Sequence, residues 1–380
     1  MVTGISNISL IDRVANALSP MSSDEIDMRV KQAQDTLQEL ISQGNHEGIE
    51  TFPLQSLPRP VNEALTKAPL DAESKDTLLH RAANSSYAVM HALSKLVPNA
   101  VNTPNKWGNT PLMHAAQNNN VEAVQALLDV NANANARNDE GWTALMMAAF
   151  SGAVNTVMAL FGYAVETPMA VDINAVNREG NSAFMIALQG GRIEVATALR
   201  DAGAVTDARN NAGKTPLMMA VSAGRNGAEA IELLKPTKED LNQVDERGRD
   251  ALRWAIETSL DDNVGKLLEL GANPNAKNAR GDTPLIYAIS IGATKHAQTL
   301  MKAENIDLNA TDAQGRTALI HAARDRDWTL FRQLVDAGAD YNMTDDDGAN
   351  ALFYIDVSNP RRDQFARLFE EMDARQSNKS

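Results

Sequence analysis

An all-α stack of about nine helix–turn–helix units is predicted for this chain by three observations: a recurring marker, a glycine turn before it, and an alanine-centred apolar run after it. The marker is a Thr-Pro-Leu-like tetrad at Thr77, Thr110, Thr143, Ser182, Thr215, Asp250, Thr283, Thr317 and Asn350. Successive spacings are 33, 33, 39, 33, 35, 33, 34 and 33 residues. A period in this range belongs to a supersecondary unit that cannot bury its apolar face alone and stacks on its neighbours. Function is therefore expected on the long surface of the stack.

Each unit opens with a turn. Glycine stands two residues before the marker at Gly108, Gly141, Gly180, Gly213, Gly248, Gly281, Gly315 and Gly348. Three residues earlier stands Asn or Asp: Asn105, Asn138, Asn177, Asn210, Asp245, Asn278, Asp312 and Asp345. A short polar side chain that bonds nearby backbone, followed by a residue free to take positive φ, makes Asx-x-x-Gly a tight turn. A further Asn or Asp stands eight before the marker, from Asn102 to Asn342.

The first helix starts at the marker, whose side chain can accept from the orphan amides of the first turn, with Pro111, Pro216 and Pro284 suited to the first helical position. Leu112, Leu145, Phe184 and their equivalents follow, then pairs such as Ala115-Ala116 and Ala148-Ala149 that allow close helix approach. The second helix shows the 3.6-residue period in Val121, Val124, Leu127 and Leu128. Gly203-Ala204, Gly271-Ala272 and Gly338-Ala339 supply its left-handed cap.

These units resemble ankyrin repeats, whose Asp-x-x-Gly-x-Thr-Pro-Leu frame stands in the run from Asn278 to Leu285. The resemblance covers roughly residues 71–373 and implies a solenoid with short β-hairpin tips and helical caps. The histidine that the family places after the Leu survives only as His80. The other copies carry Met, Ile, Arg or Phe.

Composition fits many thin layers better than one aromatic core, with 43% hydrophobic but only 4% aromatic residues in 380. A net charge of −14, with no Lys/Arg run longer than Arg361-Arg362, argues against nucleic acid as partner. The absence of cysteine excludes disulfides, a thiol nucleophile and cysteine-ligated zinc. No apolar run is long enough for a membrane span, and Met1–Leu10 lacks the basic start and apolar core of a signal peptide. The expected location is the cytoplasm; the alternative is secretion into a host cell without a cleavable signal.

Residues 1–70 follow other rules. A helical stripe of Ile26, Val30, Ala33, Leu37, Leu40 and Ile41 precedes four prolines, Pro53, Pro58, Pro60 and Pro69. The segment is expected to be a helical cap over the first repeat; the alternative is a recognition or export segment, since the Ser-rich start resembles those of bacterial effectors. The run Pro360–Met372 reads as the last amphipathic helix, and 374–380 as a fraying, disordered tail. Two irregularities are expected as loops: about six extra residues in Gly162–Val171, and Lys235–Asp240 where the Gly-Ala cap is missing.

No catalytic or metal site is predicted, and no cofactor. The histidines His46, His80, His91, His114, His296 and His321 show no paired metal spacing, and Asp345–Asp347 lacks the glutamate a calcium loop needs. The predicted function is a non-enzymatic protein–protein interaction module: adaptor, inhibitor or secreted effector, acting as a monomer. The alternative is an enzyme whose activity lies in the N-terminal segment, with the array as targeting arm. The resemblance implies that hairpin tips and the exposed side of the first helices form a concave binding face. Carried onto this chain, it places Trp107, Trp142, Arg247, Arg249, Trp254, Arg280 and Tyr287 there. Trp, Tyr and Arg dominate interface energetics, and the arginine-rich tips point to a partner with an acidic patch.

Overall fold

The computed structural model describes residues 22–53, 57–58, 61, 73–166, 171–258, 261–355, 363–367 and 369–370. The chain divides into two compact units, residues 1–206 and 207–380. Each is a stack of helix pairs.

In the first unit α1 (Ser23–Ser42) and α2 (His46–Glu50) precede four pairs. These are α3 (Leu78–Arg81) with α4 (Tyr87–Leu96), α5 (Pro111–Gln117) with α6 (Val121–Asp129), α7 (Ala144–Ser151) with α8 (Val154–Glu166), and α9 (Ala183–Gln189) with α10 (Ile193–Asp201). First helices pack in succession, α5 on α7 and α7 on α9, and second helices do the same from α4 to α10. The stripe on α1 buries Val30, Ala33, Leu37 and Leu40, and α2 packs on α4.

The second unit repeats the plan. Its pairs are α11 (Pro216–Val221) with α12 (Gly227–Leu234), α14 (Ala251–Glu257) with α15 (Asp261–Glu269), α16 (Pro284–Ser290) with α17 (Thr294–Leu300), and α18 (Ala318–Arg324) with α19 (Trp328–Asp336); the one-turn helix α13 (Lys238–Leu241) follows α12. Residues 363–367 and 369–370 are helical, and Phe365 and Phe369 close the end of the core against Phe331 and Tyr341, with ring centroids 4.3 and 4.1 Å apart.

The local chemistry accounts for each boundary. Thr110, Thr143, Ser182, Thr215, Asp250, Thr283 and Thr317 each accept from the amide three residues on, as N-caps do. The pairs Ala115-Ala116, Ala148-Ala149 and Ala322-Ala323 that follow three of these caps are fully buried between neighbouring first helices. In all eight hairpins the glycine holds φ between 71° and 81°. The Asx oxygen accepts from the amides two and four residues on, as Asn278 does from Arg280 at 2.8 Å and Asp282 at 2.9 Å. Hairpin closure is lighter than the expected β tips: among the described residues it amounts to single antiparallel bridges such as Thr311 to Thr317.

The Asn eight before the marker does more than shape its own turn. Asn102, Asn135 and Asn174 in the first unit, and Asn275 and Asn309 in the second, accept from a backbone amide of the following repeat. Asn309 reaches the Asp340 amide at 2.8 Å. Replacing Asn309 by Ala removes an inter-repeat bond and should cost about 1 kcal/mol, whereas Asn309→Asp keeps the acceptor and should cost less. Urea midpoints of the two variants check this.

Two expectations are corrected, and one gap in the turn pattern is filled. The insertion after Thr143 is partly helix: α8 runs 13 residues against 9 in α6 and α10, adding about one turn before residues 167–170, which lie outside the described residues. Lys235 takes the left-handed cap itself, at φ 47°, and Lys238–Leu241 is a helical turn capped by Thr237. The first repeat lacks the turn glycine, and Lys75 adopts φ 56° in its place. Residues 1–21, Pro60, Pro69 and the tail lie outside the described residues.

Candidate functional site

The residues expected to bind a partner fall into both units. Trp107 and Trp142 belong to the first. Trp107, on a hairpin tip, is 49% exposed with the Lys106 ammonium 4.7 Å from its ring centroid. Its carbonyl accepts from the Asp139 amide of the next hairpin, so the tip is tied down through its backbone. Trp142 is half-buried and meets the exposed Phe150 edge-on at 5.8 Å, a neighbour the sequence reading missed.

Arg247, Arg249, Trp254, Arg280 and Tyr287 belong to the second unit, and they gather. A hollow of about 240 Å³ lies between the hairpins that precede α14 and α16, walled by Arg247, Arg249, Arg280 and Tyr287 together with Arg253 and Glu257. Trp254 stands beside it, stacked between the Lys214 ammonium at 4.2 Å and the Arg249 guanidinium at 4.0 Å. Such cation–π contacts hold the indole flat against the hairpin.

Within this cluster several groups are already committed. Arg249 pairs with Asp245 and with Glu257, both at 2.7 Å. Glu257 also accepts from the Tyr287 hydroxyl at 2.8 Å, and Trp254 donates its indole N–H to Asp245 at 3.1 Å. Burial opposes ionisation of Asp245, but hydrogen bonds from Arg249 and Arg247 hold its carboxyl below the usual range. Arg247 and Arg280 are exposed.

The position four past the marker, expected on an exposed helix side, has a second role. Its side chain returns to the Asx of its own hairpin: His114 to Asn105, Trp254 to Asp245, His321 to Asp312 and Tyr354 to Asp345. Every hairpin with Asp in place of Asn has a donor there, whereas three Asn hairpins carry Met147, Ile186 and Met219. That covariation was legible in the sequence. The consequence is a correction to the exposure expected at this position: Ile186, Met219 and His321 are buried. At Asp312, burial alone would raise the pKa, but hydrogen bonds from Arg316, His321 and the Gln314 amide draw it down to about 2.

The fold also brings together side chains whose spacing gave no metal pattern. Potential ligand atoms of Asp76, His80 and His114 lie within 4.8 Å of one another. His80 is spoken for, however: Nδ1 accepts from the Thr77 amide at 3.0 Å, which leaves Nε2–H to donate to the Asn109 carbonyl at 2.8 Å. An ion could bind His80 only by breaking one link of the repeat frame. Among the described helices none is long and apolar enough to cross a membrane.

Comparison with known proteins agrees with this frame. The family profile for Ankyrin repeats (3 copies) matches overlapping windows that run from residue 31 to residue 345. Human Ankyrin repeat domain-containing protein 63 is 32% identical over 153 residues, which is 38% of this chain and 40% of that protein. The mouse B-cell lymphoma 3 protein homolog is 31% identical over 255 residues, 63% of this chain and 56% of its own length. Human Neurogenic locus notch homolog protein 1 is 36% identical over 118 residues, 31% of this chain and 5% of that protein. The matched segment thus spans at most about half of each of these relatives.

Proposed function

Because the chain belongs to the ankyrin-repeat family, we propose that it is a non-enzymatic adaptor or inhibitor that holds a protein partner on its hairpin tips and adjoining first-helix faces. Trp107, Trp142, Arg247, Arg249, Trp254, Arg280 and Tyr287 are the contact residues. The supporting observation is the gathering of five of these around one hollow in the second unit, rich in residue types that anchor interfaces. α1 and α2 serve as the cap of the first pair. An effector exported into a host cell is the more specific version, suggested by the Ser-rich start of the chain.

Affinity capture with the full chain as bait tests the assignment. Trp107→Ala with Trp142→Ala, and Arg247→Ala with Arg280→Ala, are each expected to lose about 2 kcal/mol of binding, roughly a thirtyfold drop, while leaving thermal stability nearly unchanged. Full capture by a folded variant carrying alanine at all seven positions would remove these residues from the interface.

A further inference from the structure

We propose that the hollow beside α14 and α16 is a carboxylate pocket that receives an Asp or Glu side chain from an acidic segment of the partner. The proposal deepens the protein-binding reading above, on which it rests, by naming the chemistry that one part of the face recognises.

Arg253 carries the inference. It stands at the repeat position that His80 fills in the first repeat, and it reproduces the histidine's link. His80 donates to the carbonyl of Asn109, one residue before the next marker; Arg253 donates from Nη2 to the carbonyl of Asp282, in the same place one repeat on, and to Ala276 at 3.1 Å. A histidine is then exhausted. A guanidinium is not, because it carries five N–H donors in a planar fork. Among the described residues, Nε and Nη1 of Arg253 have no hydrogen-bond partner, although the side chain is only 3% exposed and lines the hollow. Burial of the side chain leaves these two donors little water to bond, so an acceptor that enters the hollow gains by meeting them. Burial lowers the pKa of Arg253, with the Asp250 charge offsetting this only in part.

The acidic groups nearby do not meet this need. Glu257 is engaged by Arg249 and Tyr287, and the Asp282 carboxylate accepts from Asn278 at 3.0 Å. At the rim Arg247 and Arg280 are exposed and have no side-chain partner among the described residues. The uncommitted donors therefore point to an anion that Arg253 grips from below and the rim arginines cover.

Charge and size select a carboxylate. Glu257 and Asp282 remain in the wall, so a dianionic phosphate would meet two like charges where a single carboxylate meets a smaller penalty. A volume of about 240 Å³ suits one side chain and is small for a cofactor. The planar guanidinium edge matches carboxylate geometry in two parallel bonds.

The test uses the full chain and a fluorescein-labelled hexaglutamate peptide at low salt, followed by anisotropy. Hexalysine and a neutral peptide with one phosphoserine are the comparison probes. Hexaglutamate is expected to bind, to weaken as salt rises, and to bind at least about tenfold less tightly to both Arg253→Met and Arg247→Ala/Arg280→Ala. Arg253→Lys keeps the charge without the fork and should fall between, which preserves the test if the Met variant does not fold. Unchanged binding by folded Arg253→Met, or tighter binding of the phosphoserine peptide, overturns the proposal. Trp107→Ala/Trp142→Ala lies in the other unit and should leave hexaglutamate binding intact. A wild-type chain that ignores hexaglutamate thus ends the pocket assignment alone, while the capture experiment judges the wider face independently.

Discussion

Gly281→Val is expected to destabilise the second unit by about 3 kcal/mol or more, beyond the cost of the unfavourable φ alone. Two effects add at this glycine. Its φ of +79° lies where a β-branched residue is strained, and a Cβ built there would stand 2.6 Å from the Ala313 nitrogen, inside the backbone of the next hairpin. Neither hairpin can move aside, because the Ala313 amide donates to the Arg280 carbonyl in the same turn.

Gly248 supplies the control within the same unit. It holds φ +71° but a Cβ there meets nothing within 4 Å, so Gly248→Val bears the strain without the collision and should cost only about 1–3 kcal/mol. The difference between the two urea midpoints isolates hairpin-on-hairpin packing from turn strain. Because repeats are coupled to nearest neighbours, hydrogen exchange in Gly281→Val should rise first in α16 and α18. Equal losses in the two variants, or uniform exchange across the unit, would count against this account.

The frame of the fold was legible because it rests on backbone demands that few residue types meet. Positive φ at Gly281, amide acceptance by Asn278 and helix capping by Thr283 each call for a small set of side chains, so one repeat announces the next. What could not be read depends on which polar group answers another across repeats. Arg253 looked like a lost histidine, yet it makes the histidine's bond from a longer arm. The insertion after Gly162 looked like a loop because no glycine or proline pattern distinguishes one added helical turn from slack chain.

The candidate site was legible only as residue type. Arg249, Trp254 and Arg280 were readable as interface chemistry, but the split between them was not: Arg249 and Trp254 are bound into the Asp245 and Glu257 network, and Arg280 is exposed. A committed side chain still contributes a rigid aromatic or cationic surface, at a lower entropic cost than a mobile one. The acidic-patch expectation accordingly narrows to Arg247, Arg280 and the inner edge of Arg253.

Mild acid should weaken the first repeat before it weakens the rest of the first unit, and His80 is the reason. Burial first of all, with the neighbouring His114 adding to it, lowers its pKa from 6.5 to about 4 against the opposing bond to the Asn109 carbonyl and the Asp76 charge. The sign follows from proton binding. Between pH 6.5 and about 4 the unfolded chain takes up a proton at this position and the folded chain does not, so stability is full above pH 6.5 and falls as pH drops through that window. From pH 7 to pH 5 the loss should be about 2 kcal/mol. Protonation would place a hydrogen on Nδ1, which accepts from the Thr77 amide, and so would break the bond that ties His80 to the start of α3, while the Nε2–H bond to the Asn109 carbonyl survives. His114, whose pKa burial also lowers, contributes in the same direction. Urea melts at the two pH values, with hydrogen exchange of the α3 and α4 amides, measure the effect. His80→Gln keeps a donor for Asn109 but cannot titrate, so it should start less stable at pH 7 and lose distinctly less on acidification; parallel losses in the variant and the natural chain would show that another group senses the acid.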